Sequence, residues 1–167
     1  MTENHTLTRV RRSLEPGTSV LVGTVDARGV PSCCRGLALV SDDDLGTARV
    51  YVPIATSQET IANIATTGRI AVCMSHPVDH ATIQLKGRAV ATRLATDAEA
   101  ARVRGLFKEF GAVLGTIGIP QTVMRTIVDW PAFAIDIEVD AVFEQTPGPK
   151  AGFPLPRDHA AAGRPRA

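Results

Sequence analysis

Apolar and polar residues alternate along this chain in short blocks that glycine, proline and aspartate cut apart, and the two-residue period predicts strands. Val20, Leu21, Val22, Thr24 and Val25 form a first block that reads as a buried strand. Asp26-Ala27-Arg28-Gly29 turns it back into a second strand over residues 31–40, with Gly29 in the positive-φ position that such a hairpin requires. Asp42, Asp43, Asp44 and Gly46 mark a solvated turn, since the spaced ligands of a calcium loop are missing, and Arg49-Val50-Tyr51-Val52 is a third strand. Ser57 is placed as the N-cap of a helix reaching Ala65, with Gly68 just past its end. A fourth strand spans 69–74. The fifth alternates cleanly: Ile83, Leu85, Gly87, Ala89 and Ala91 face one way, and Thr82, Gln84, Lys86 and Arg88 the other.

Thr96-Asp97-Ala98-Glu99 fits a capping box that opens a second helix over 97–114, with Ala101, Val103, Leu106, Phe107 and Phe110 on its apolar side. The last strand, 132–146, alternates again. Phe133, Ile135, Ile137, Val139, Ala141 and Phe143 are assigned to its core face, and Asp136, Glu138, Asp140 and Glu144 to the opposite one. Residues 147–167 are rich in proline, glycine and alanine without periodicity and are expected to form a mobile tail, leaving 1–146 as the domain. Before the first strand, 8–14 is expected to be a short basic helix ended by Pro16-Gly17.

Six antiparallel strands, a helix inserted after the third and a longer one after the fifth predict a mainly β, α+β fold: a half-closed six-stranded barrel with peripheral helices. Neither alternating βαβ units nor a glycine-rich phosphate loop is present, which removes a Rossmann reading. With 167 residues and 44% hydrophobic content, the chain supports one domain with a real core. A formal net charge of +1 gives no global field toward nucleic acid or an anionic membrane. No apolar run has the length of a signal peptide core or a membrane span, so the expectation is a cytoplasmic protein with neither nucleic-acid nor membrane partners. Cys33, Cys34 and Cys73 include no CxxC pair and are odd in number, which argues against a disulfide framework. They read as packing residues, or as a thiol at the rim of a cofactor site; adjacent Cys33 and Cys34 point to opposite faces of a strand and cannot readily chelate one metal, and no metal site is assigned.

The succession SVLVGTVDARGVPSCCRGLALV, ARVYVPIATSQETIANIATTGRIAVCM and HATIQLKGRAVA resembles the pyridoxamine 5′-phosphate oxidase-like, FMN-binding split-barrel family over roughly residues 10–146. The resemblance rests on the first hairpin, the strand followed by a capped helix, and the polar strand ending in Lys86-Gly87. It implies FMN as cofactor, a homodimer with the cofactor at the subunit interface, and a small-molecule substrate. The flavin phosphate then belongs where the third strand passes into the helix, around Val52, Pro53, Ser57, Gln58 and Thr60, because helix N-terminal amides suit a dianion. The namesake oxidase carries an Arg-Lys pair where this chain has Gln58-Glu59, an arginine where it has Cys34, and a substrate-gripping lysine where it has Leu39. The resemblance therefore does not extend to pyridoxine-phosphate oxidase activity.

The same resemblance sets Thr82 where the family has a flavin-contacting glutamine. Gln84 and Lys86 continue that face, offering donors for pyrimidine carbonyls and charge for a phosphate. A second reading pairs Lys86 and Arg88 with the Asp136, Glu138 and Asp140 stripe across neighbouring strands. Arg35, one residue past Cys34 and so on the opposite face, either reaches the flavin or lies at a surface. Trp130, the single tryptophan, either covers a flavin face or closes the barrel end. His76-x-x-x-His80 with Asp79 is either a loop or a haem or metal ligand set. The functional expectation is an FMN-dependent oxidoreductase with no identified catalytic acid or base. The alternatives are a haem-binding or haem-degrading split barrel, a flavin-binding protein without catalysis, and an interaction role alone.

Overall fold

A computed structural model describes residues 16–42, 45–127 and 129–156. The basic helix expected over 8–14 lies outside the described residues, as do Asp43 and Asp44. The elements are β1 (Ser19–Val25), β2 (Pro31–Gly36), β3 (Ala38–Ser41), β4 (Thr47–Pro53), a 3₁₀ turn (Ile54–Thr56), α1 (Gln58–Thr67), β5 (Arg69–Ser75), β6 (Thr82–Leu94), α2 (Asp97–Thr116), α3 (Gln121–Met124), β7 (Ala132–Glu144) and β8 (Pro154–Leu155). The sheet order is β2-β1-β5-β6-β7-β4-β3, with β8 on β7, and every pairing is antiparallel. This is a split β-barrel with helices at its periphery.

Closure comes from a strand that the sequence pattern presents as one piece. Residues 31–40 are two strands: β2 pairs with β1 at one end of the sheet path, and β3 pairs with β4 at the other. The changeover is at Gly36-Leu37, where the Leu37 amide donates to the Tyr51 carbonyl at 2.8 Å. A Cβ at Gly36 would run into the side chain of Val20, so the absence of one lets β1 and β2 pack closely there. Six expected strands therefore become eight. The second addition, β8, falls beyond the expected domain boundary at 146. Gly152 N–H donates to the Glu144 carbonyl at 2.7 Å, Glu144 N–H donates to the Phe153 carbonyl at 2.9 Å, and Leu155 packs on the barrel core. Two apolar pairing residues were too short a signal to stand out in a proline-rich stretch.

Two register shifts in the β6–β7 pairing decide which side chains face outward. Lys86 lies opposite Ala141 and Gly87 opposite Val139, which leaves Asp140 as an extra residue on β7; Val90 is the extra residue on β6. Beyond Asp140 the expected facing of β7 reverses. Val142 and Glu144 are buried, and Phe143 turns outward to lie under the Lys86 ammonium, 4.6 Å from the ring centroid. Gly87 makes this possible, because a Cβ there would overlap the Glu138 carbonyl.

α1 ends as expected, with Gly68 in the left-handed region (φ 65°) donating to the Ile64 carbonyl. Its start is different: the Ser57 hydroxyl does not cap the helix but donates back to the Pro53 carbonyl at 2.6 Å. α1 packs on β1 through Asn63, whose Nδ2 donates to Thr24 Oγ1 at 3.2 Å, and through Thr67, which donates to the Val25 carbonyl at 3.0 Å. The α2 capping box forms as the sequence predicts, although the buried residues of that helix are Ala100, Val103, Phe107, Phe110 and Gly111, and Ala101 is exposed. Two cores result. One fills the barrel around Val22, Val50, Val72, Leu85 and Ile135; the other lies between α2 and the outer surface of β4 and β7, around Tyr51, Val103, Phe107 and Ala134. Substituting Gly87 by Ala is expected to destabilise the fold by about 1–3 kcal/mol, the usual cost of forcing extra volume into a packed site. Denaturant unfolding that leaves the midpoint unchanged would contradict the close approach of β6 and β7.

Candidate functional site

On the outer surface of β2, β1, β5, β6 and β7, cross-strand register sets side chains in rows. One row reads Arg35, Leu21, Cys73, Gln84, Phe143; the next reads Cys33, Gly23, Ala71, Lys86, Ala141; below these Arg69 lies opposite Arg88, and Arg88 opposite Glu138. Gly23 and Ala71 sit mid-row, so this surface is low in the middle and high at its rims. The outcome is a trough of about 730 Å³, walled by Val25, Pro31 and Cys33 on one side and by Arg69, Lys86 and Arg88 on the other, with Asp140 at its margin. Its volume falls within the roughly 300–1,000 Å³ of small-molecule sites.

The predicted site residues separate into groups. Arg35, Gln84 and Lys86 share the outer surface. Arg35 is half-buried, with its guanidinium 5.6 Å from the Phe110 ring centroid. Thr82 begins the same face but is buried and engaged: its hydroxyl lies 2.8 Å from Ser75 Oγ and donates to the His80 carbonyl. It is therefore a strand-end anchor and offers no open donor.

Cys34, Val52, Pro53, Ser57 and Thr60 are all buried on the other side of the sheet, around the start of α1. Burial raises the Cys34 thiol, which Thr60 faces with a hydrogen bond that works in the opposite sense. Of the helix-start residues, Gln58 and Glu59 reach solvent. Within one chain the outer surface and the helix corner thus look in opposite directions. Trp130 belongs to neither group: it packs on the second core with the Arg104 guanidinium 5.7 Å from its ring centroid. His76 Nδ1 lies 3.2 Å from Asp79 Oδ1, whereas His80 is exposed at φ 58°.

Of the Asp136, Glu138 and Asp140 stripe that one sequence reading set against Lys86 and Arg88, Glu138 lies across from Arg88 and Asp140 stands at the trough margin, but Asp136 pairs with neither cation. Asp136 instead holds Arg49, and this contact is part of a clamp that fastens α2 to the sheet. Glu99 in the first turn of α2 accepts two bonds from Arg93, each at 2.7 Å, and one from the Tyr51 hydroxyl at 2.9 Å, while Arg49 Nη1 lies 3.4 Å away. The Val90 bulge turns Arg93 toward α2, so the clamp depends on the register shift. Arg93, with Thr96 and Tyr51, holds the Glu99 carboxyl far below the ordinary glutamate range, and burial and Glu99 together push the Tyr51 phenol up.

A second concavity of about 460 Å³ lies between α2 and α3, floored by Phe107, Met124 and Ile127 and rimmed by Arg104, Lys108 and Arg125. Its floor is continuous with the second core, and Arg104 is paired with Asp129 at 3.3 Å. The outer trough is the better site because its floor is lined by small residues and it is the larger of the two, and its cations make no ion pair among the described residues. Cys33 lies at the trough rim, in keeping with the rim-thiol alternative, whereas sequence reasoning missed Arg69, Leu21 and Phe143 as neighbours. Cross-strand register would have found the first two; Phe143 was hidden by the bulge.

The fold and site define a split-barrel protein with a trough on the outer surface of its half-barrel. No protein-family model matches the sequence, and no curated relative does. Among solved structures, an F420 reductase superposes with a TM-score of 0.51 at 14% identity, over 79% of this chain and 94% of that one. A Clostridium acetobutylicum protein related to general stress protein 26, described as of the pyridoxinephosphate oxidase family, gives a TM-score of 0.50 at 17% identity, over 85% and 88%. HupZ of Group A Streptococcus gives 0.49 at 18%, over 91% and 100%. The first two likenesses show the fold of the pyridoxamine 5′-phosphate oxidase-like split barrels, as the resemblance in sequence implies. Among the described residues no helix is long and apolar enough to cross a membrane.

The clamp yields a pH test. Because Glu99 is held below its ordinary value of 4.5, it stabilises the folded state fully above that pH and loses the contribution as pH falls through its lower folded-state value. Glu99→Gln is expected to cost about 1–2 kcal/mol at neutral pH, in line with lost hydrogen bonds to a charged group. The gap to wild type should narrow as the solution is acidified below 4.5. Urea unfolding across pH checks this, and a gap that is absent at neutral pH, or that widens in acid, contradicts the clamp.

Proposed function

We propose that this protein binds FMN on the outer surface of β1, β5 and β6, as a homodimer, and serves redox chemistry on a small molecule. The observation that carries the reading is the trough itself: small residues at the floor, apolar walls and Lys86 on its β6 side, with Gln84 in the adjoining row of the same surface. A flavin needs a flat apolar surface for its ring, donors for its pyrimidine carbonyls and charge for its phosphate, and the donor set here matches each need. Leu21, Val25 and Pro31 supply apolar surface, the Gln84 carboxamide supplies a donor, and the Lys86 ammonium, steadied over Phe143, supplies charge. The likeness in fold to an F420 reductase and to a protein described as of the pyridoxinephosphate oxidase family supports it.

When bound, a flavin supplies hydride and electron transfer; the chain's own work is to bind, orient and keep water away. Gln84 and Lys86 orient the ligand from one side, and Cys33 borders it as a rim thiol. Leu21, 42% exposed at the middle of the sheet, is the apolar surface a second copy would cover. A second copy would also bring a helix corner, with its exposed Gln58 and Glu59, toward a trough that the same chain's corner faces away from. The site of this reading is therefore composite.

Light scattering is expected to give a dimer at micromolar concentration, and Leu21→Asp a monomer. A wild-type monomer would remove the composite site. Titration with FMN, read by visible absorbance, is expected to give flavin bands that remain with the protein through gel filtration. Lys86→Met should weaken binding by on the order of 1–3 kcal/mol, the loss of a charged hydrogen bond. Glu59→Lys should strengthen it by restoring charge at the helix start. Unchanged affinity in both variants, or a haem band in place of flavin bands, contradicts the reading.

A further inference from the structure

Three cations, Arg69, Lys86 and Arg88, line the outer trough. Arg28, Arg49, Arg93 and Arg104 each hold a carboxylate. Arg69, Lys86 and Arg88 make no ion pair among the described residues, and all three are exposed. Their placement makes this unfavourable. Arg69 and Arg88 are direct cross-strand partners on adjacent antiparallel strands, an arrangement in which like charges destabilise a sheet. Lys86 lies two residues from Arg88 on the same face and adds a third charge to the same field.

The backbone holds this arrangement in place. Gly68, in the left-handed region, ends α1 immediately before Arg69, and its carbonyl accepts from the Ala89 amide at 2.8 Å, which locks β5 against β6 at this end. The Arg88 guanidinium folds back toward Gly68, where a side chain's Cβ would come within 3.5 Å of Nη2. Beside the cations the surface drops to Gly23, Ala71 and Gly87, so all three side chains border one open concavity. Of the acidic residues nearby, Asp140 stands at the trough margin and Glu138 faces Arg88 across the strands without forming an ion pair with it.

We propose that Arg69, Lys86 and Arg88 form a binding site for a phosphate-sized dianion at this end of the trough. Two guanidinium forks on adjacent strands and an ammonium further along the same trough suit the several acceptor oxygens of a phosphate, which relieves the repulsion between Arg69 and Arg88. The phosphate is that of a nucleotide cofactor, of a phosphorylated substrate, or free; the chemistry at the site is shared. The inference shares Lys86 and the trough with the flavin reading and deepens it, but it needs only the cations and the trough, and no bound flavin.

The test is thermal unfolding and calorimetric titration of the full chain with inorganic phosphate, ionic strength held constant with sodium chloride. Wild type is expected to show a saturable rise in Tm. Arg69→Glu converts the repulsive pair into an attractive one, so it should raise the ligand-free Tm while weakening phosphate binding by about tenfold or more. Arg88→Gln should weaken binding in the same direction with the ligand-free Tm kept or raised. A phosphate response equal to that of chloride in wild type, or one unchanged in both variants, overturns the proposal. A second arm compares FMN with riboflavin. Competition of phosphate with FMN but not riboflavin supports the site with the nucleotide's phosphate as occupant; competition with neither supports it with a phosphorylated substrate or free phosphate. Should the protein bind no flavin while the phosphate response and its sensitivity to Arg69→Glu persist, the anion site stands and the flavin reading falls.

Discussion

The close approach of β6 and β7 at Gly87 governs the arrangement of this molecule. With no side chain at 87, the Glu138 carbonyl occupies the space a Cβ would need, and β7 takes up the mismatch as one extra residue, Asp140. Every residue of β7 beyond that point changes sides. Phe143 comes out to support Lys86, and Val142 goes in to join the barrel core. The compensating bulge at Val90 turns the far half of β6, so that Arg93 meets Glu99 and α2 is clamped to the sheet. One pairing thus sets both the trough and the helix that covers the opposite end of the barrel.

The barrel was legible where alternation and turn chemistry agree. The first hairpin, α1 with its Gly68 stop, the α2 capping box and the run of β6 from Thr82 to Ala89 all appear as the sequence predicts, because short-range sterics and the pleat decide them. What the sequence did not show were features set by strand partners. The break at Gly36-Leu37 leaves no composition change, since β2 and β3 continue the same apolar pattern on different neighbours. The reversal at Asp140 looks in sequence like unbroken alternation, and for that reason Phe143 and Glu144 were assigned to the wrong faces. β8 is two residues whose only distinction is the strand they meet.

The candidate site was legible in the same proportion. Gln84 and Lys86 were placed on one face by parity alone, and that placement holds; that Arg35 shares their surface follows only from the β2–β1–β5–β6 register. The helix corner was found as a position, but Ser57, Thr60 and Cys34 are spent on internal contacts, so the corner offers a ligand little beyond Gln58, Glu59 and backbone amides. Thr82 failed for a related reason: Ser75 and His80 engage it at the strand end. Arg69 was invisible as a site residue until the β5–β6 register set it across from Arg88.

Locating the ligand surface tests the account most directly. Amide hydrogen exchange of the whole protein with and without saturating FMN reports on each strand separately. The account predicts added protection in β1, β5 and β6, centred on residues 21–25, 69–73 and 84–88, where the outer trough lies. Protection confined to α2 and α3 around the 104–129 concavity, or no change anywhere at saturating ligand, would contradict it.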